Sequence, residues 1–186
     1  MDHDNPGNYQ GGFPMSRISL DHLFEIAHGL GAQIGYQDLH AIHPQLDAYT
    51  RLPLVMLDKS LTSNNRHHKC ILAEEIGHLL FPPRAGHVSY HIGQSWDSLK
   101  CQDRYNVSVL VAQDERKALA WATDLLIPDD TFWEFAEKGP HLLYEWLEEF
   151  DVAMWFFEIK VGIILVRQPI RGRLKWIQTI NRRQSS

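Results

Sequence analysis

The chain has 186 residues, 44% hydrophobic and 22% charged, with a formal net charge of −5. That length accommodates one domain, with or without an appendage, around a substantial apolar core. Its two cysteines, Cys70 and Cys101, exclude a disulfide framework, and the longest apolar run (152–166) is broken by Glu158 and Lys160 and is too short for a membrane span. The start, from Met1 to Gly12, is polar and lacks the basic-then-apolar pattern of a secretory signal. A cytoplasmic, reducing setting is therefore expected, in which the Asn106-Val107-Ser108 triplet has no glycosylation consequence. Charge is uneven: Arg167, Arg171, Arg173, Lys175, Arg182 and Arg183 crowd the last 26 residues, which carry no acid. Such a tail either keeps the terminus solvated or touches nucleic acid or an acidic partner.

Residues 1–15 are expected to form a flexible leader. Ser16 or Ser19 then caps a helix to about Leu30, with Ile18, Leu23, Ile26, Ala27 and Leu30 as its apolar stripe and Gly29 and Gly31 closing it. Three short β-type segments follow, Ala32 to Tyr36, Asp47 to Thr50 and Leu54 to Asp58. Thr62 or Ser63 caps the next helix, which runs to about Leu80 and is stopped by Pro82-Pro83. Residues 82–106 read as a long irregular loop containing His87 and His91, a length associated with function. A helix is expected over 107–127, ending at Pro128, and a shorter one from Asp129 to about Lys138, broken by Gly139-Pro140. Segments 141–149 and 152–166 read as a further helix pair. Its aromatics, Trp146, Phe150, Trp155, Phe156 and Phe157, are expected to be core rather than a substrate face. The pair superficially resembles a helix-turn-helix, but its second helix is too apolar to read bases. The fold class is α+β, mostly helical with a small sheet of about three strands beside the 63–80 helix. The domain occupies 16–166, followed by the basic tail 167–186.

That helix carries Leu72-Ala73-Glu74-Glu75-Ile76-Gly77-His78. It reads as the zinc-binding pattern His-Glu-x-x-His with glutamate in place of the first histidine. At about 100° per residue Glu74 and His78 lie about 40° apart on successive turns, so both reach one ion, and Glu75 flanks them as a candidate general base. Gly77 costs about 1 kcal/mol in a helix interior relative to alanine, which makes sense if another backbone or the substrate passes close by. Alone the pattern is weak, since charged pairs at this spacing are common on solvated faces. A second segment adds to it: Glu115 stands on the 107–127 helix, where Ala118 and Ala122 form a face suited to close packing. A third carboxylate ligand from a second helix is the arrangement of catalytic zinc sites that leave one position for water.

Together the two segments resemble the ImmA/IrrE metallopeptidases of bacteria, prophages and integrative elements. Ala73, Glu75, Gly77 and His78 fit the first family motif. Glu115, Ala118, Trp121, Ala122, Leu125, Leu126 and Pro128 fit the second at every spacing. The resemblance covers about residues 16–165 and implies a zincin-like fold, His78 and Glu115 as metal ligands, Glu75 as the base, and Glu74 at the first histidine's position, as in a phage-type branch. It further implies a divalent ion, zinc or a harder ion such as manganese, and a helix-turn-helix repressor as the substrate.

Physically, Glu74 brings a negative charge where imidazole is neutral, so two carboxylates and one nitrogen would meet the ion. Three outcomes follow: altered activity with zinc, replacement of the missing histidine by another, or loss of the metal. His87 or His91 would be the replacement; His67, two turns below Glu74, reads as a neighbour. His22, His28, His40, His43 and His141 read as surface or capping residues, and Cys70 as core. The expected function is a metal-dependent endopeptidase acting on one regulator. The alternative is a weak or inactive relative that binds a transcriptional regulator without cutting it. A nucleic-acid contact rests on the tail alone, and no membrane role is expected.

Overall fold

The computed structural model describes residues 17–82, 89–92 and 108–167. The expected leader, the basic tail beyond Arg167, His87, Cys101 and most of the glycosylation triplet lie outside those residues. Helix α1 (Leu20–Gly29) is capped by Ser19, whose hydroxyl accepts from the His22 N–H at 3.1 Å, and Leu23 and Ala27 anchor it in the core. Gly31, at φ +80°, supplies the left-handed turn into the sheet.

The sheet has four strands among the described residues, in the order β1 (Gln33–Gln37), β3 (Leu54–Asp58), β2 (Leu46–Arg51), β4 (Ser89–Ile92). β1 runs parallel to β3, whereas β2 is antiparallel to both β3 and β4. β4 extends the small sheet expected from the sequence: it lies within the stretch read as an irregular loop, where a four-residue segment is too short for alternation to register. Val55, Leu57 and Ala48 are fully buried.

A 3₁₀ turn (Lys59–Ser63) leads into helix α2 (Asn65–Leu80). Asn64 caps α2 by accepting from the His67 N–H at 3.1 Å, rather than the expected Thr62 or Ser63, because those residues are used by the 3₁₀ turn. Every residue from His68 to His78 is buried. A helix with no solvated face is the centre of its domain: α1 and β2 pack against it, as does α3 (Ser108–Leu126). Cys70 is core as expected; burial pushes its thiol up to about 12, and its sulfur accepts from the Ala153 N–H.

The last described elements are α4 (Asp129–Glu137), α5 (Leu143–Phe150) and α6 (Met154–Arg167). Trp146, Phe150, Phe156 and Phe157 are buried, and Trp146 also packs on Phe132 with ring centres 4.8 Å apart. Two charged latches hold this layer to the rest. Asp151, left-handed at φ 51°, receives Lys69 Nζ at 2.6 Å and Arg66 Nε at 3.2 Å from α2. The fully buried Lys160 of α6 pairs with Asp124 of α3 and Asp129 of α4. Among the described residues no helix is long and apolar enough to cross a membrane.

Candidate metal centre

Helices α2 and α3 cross at Gly77. A Cβ there would lie 2.6 Å from the Ala118 carbonyl oxygen and 2.9 Å from its Cα, so only glycine permits the approach. Ala118 and Ala122 are fully buried. This crossing brings Glu115 of α3 to the Glu74–His78 face of α2. Nε2 of His78 lies 3.2 Å from Glu115 Oε2, and Glu74, His78 and Glu115 each offer a ligand atom within 4.8 Å of the others.

The three side chains lie close enough to bind a metal ion. Ligands on a tetrahedral ion, with bonds of roughly 2.0–2.2 Å, sit about 3.5 Å apart, a spacing that modest side-chain rotation reaches. Charge points the same way. Glu74 and His78 are 4% and 3% exposed, and Glu75 is 0% exposed. Two carboxylates and one imidazole are a donor set of the kind that divalent ions accept. Burial pulls His78 down, but the Glu115 hydrogen bond and the charges of Glu75, Glu115 and Glu74 outweigh it and hold its pKa at about 9. The donor set therefore fits a divalent ion.

Glu75 stands beside this group and accepts a hydrogen bond: the Thr50 hydroxyl of β2 donates to Glu75 Oε2. Thr50 escaped the sequence reading. Its only signal was a polar residue on the inward face of a strand, in phase with Leu46 and Ala48.

A second polar cluster holds His40 and His67. Asp47 receives Nε2 of His40 at 2.9 Å and Nε2 of His67 at 3.1 Å. The Trp155 indole N–H donates to His67 Nδ1, so His67 carries its proton on Nε2 and is held away from ligation. The β2–β4 register shifts between Leu46 and Ala48, and this irregularity at Asp47 lets a strand residue reach a helix side chain. His67 is thus held within this cluster, and His40, its side chain 36% exposed, joins it from the surface. His141 Nε2 meets the Phe135 carbonyl at 2.9 Å. The backbone of His91 pairs with Ala48 in β4; its side chain is outside the described set.

No family model, no curated protein and no solved structure matches this chain.

Proposed function

We propose that this chain is a metal-dependent endopeptidase of the ImmA/IrrE type, with a zincin-like arrangement of sheet and motif helix. The observation that carries the reading is the convergence of Glu74, His78 and Glu115 from two helices within 4.8 Å, with Glu75 alongside. Glu74, His78 and Glu115 would hold zinc or another divalent ion, which supplies Lewis-acid chemistry for peptide hydrolysis. Glu75 takes a proton from the attacking water as its oxygen bonds to the scissile carbonyl carbon. The C–N bond breaks, and Glu75 returns that proton to the leaving nitrogen. The resemblance supplies the substrate class: a helix-turn-helix repressor of a prophage or mobile element, encoded near the peptidase gene and met in the cytoplasm.

The second reading, a relative that binds such a regulator without cutting it, is favoured by the complete burial of Glu75 and by a carboxylate at position 74. One experiment separates them. The zinc-loaded chain is incubated with the helix-turn-helix repressor encoded beside its gene, wild type against Glu75→Gln. The peptidase reading expects cleavage by wild type, a loss of roughly 100-fold or more in Glu75→Gln, and equal zinc content in both. Equal cleavage by the two proteins removes Glu75 from the chemistry. Binding without cleavage by wild type establishes the second reading.

A further inference from the structure

We infer that Thr50 is the positioning residue for Glu75, holding its carboxylate in one orientation beside the Glu74–His78–Glu115 centre. A glutamate on a helix has three rotatable side-chain bonds, so its carboxylate takes its orientation from the groups that contact it. Thr50 comes from a separate and rigid element. It sits in the interior of β2, paired with Val55 of β3 on one side and Ser89 of β4 on the other. It is also 3% exposed, so its hydroxyl is shielded from water. A β-branched side chain is stiff at its first torsion, so this hydroxyl is aimed before the carboxylate arrives. A carboxylate can only accept from it, and it engages Oε2, leaving the proton-transfer role to Oε1. A group that must meet a water molecule loses rate steeply when displaced by an ångström, which is what such a support prevents.

The inference rests on the peptidase reading, so its test has two arms. In the metal-free full chain, urea unfolding is measured for Thr50→Val, Glu75→Ala and the double variant, since alanine, unlike glutamine, leaves no acceptor for the hydroxyl. Non-additive shifts in midpoint are expected, and additive shifts overturn the pairing whether or not the chain cleaves anything. In the zinc-loaded chain acting on the adjacent repressor, Thr50→Val is expected to lower kcat by about 10- to 100-fold while KM and the zinc Kd stay within about twofold. Thr50→Ser, which keeps the hydroxyl, recovers most of the wild-type kcat. Wild-type kcat in Thr50→Val, or an equal loss in the Val and Ser variants, overturns the positioning role. Should Thr50→Val not fold, Thr50→Ala carries the same comparison. A wild-type chain that binds zinc and cleaves nothing defeats the peptidase reading alone, and the first arm then decides whether Thr50 holds Glu75.

Discussion

Glutamate at position 74 makes the centre a two-carboxylate, one-imidazole set, and ligand type is what discriminates among divalent ions of similar affinity order. Oxygen donors suit harder ions such as manganese, and nitrogen donors suit zinc. Glu74→His is therefore expected to tighten zinc binding by about tenfold or more while weakening manganese, as read by competition titration of each ion. Unchanged affinities for both would show that position 74 is not a ligand. The pairing of Glu74 with His78 was legible in the sequence, because a spacing of four on a helix fixes a shared face. The hydroxyl of Thr50 was not, because a hydrogen bond between residues 25 apart depends on how strand and helix pack.

Among the elements, the crossing of α2 and α3 decides whether the site exists. Gly77 lies where two effects oppose each other. Alanine would gain about 1 kcal/mol of helix propensity. Its Cβ would meet the Ala118 backbone at 2.6–2.9 Å, which a backbone cannot yield as a flexible side chain can. Overpacking costs about 1–3 kcal/mol and forces the helices apart. Gly77→Ala is expected to destabilise the chain by up to about 2 kcal/mol net in urea unfolding and to weaken metal binding, since Glu115 moves with α3. Stabilisation by this substitution would show that the helices do not approach as described. Gly77 and the small face of Ala118 and Ala122 were both visible as sequence signals. That they meet each other, rather than a substrate or a third segment, was not.

At the scale of the molecule, polar clamps between elements set the pH window of stability. Asp58 ends β3 and accepts from the Leu39, His40 and Ser60 N–H groups at 2.7, 3.0 and 2.8 Å. Burial raises this carboxyl, but the Ser60 hydrogen bonds and those of His40 and Leu39 outweigh it and lower the pKa to about 2. A depressed folded pKa stabilises above the unfolded value of 3.8, and this contribution, about 2 kcal/mol, is lost as pH falls from about 4 to about 2. His40 runs the other way. Its hydrogen bond to Asp47, opposed by desolvation and aided by the charges of Asp58, Asp47 and Asp38, raises its pKa above 6.5. Its contribution is fully present below pH 6.5 and fades as pH rises through the raised value. Unfolding midpoints measured from pH 2 to 9 are expected to show both losses; Asp58→Asn reduces the acid one, to which Asp151 also contributes, and His40→Ala reduces the alkaline one, to which His78 with its pKa at about 9 also contributes. Midpoints unaffected by the substitutions would remove these clamps from the stability of the fold.

The helices, the first three strands and the spacing of the ligand candidates were determined by the sequence itself, because caps, breakers and periodicity act within a few residues of one another. Tertiary structure alone decided three further features: the β4 pairing, the Asp47 clamp between His40 and His67, and the approach of Thr50 to α2. Each joins segments far apart in the chain, and only packing around the buried helix brings them within bonding distance.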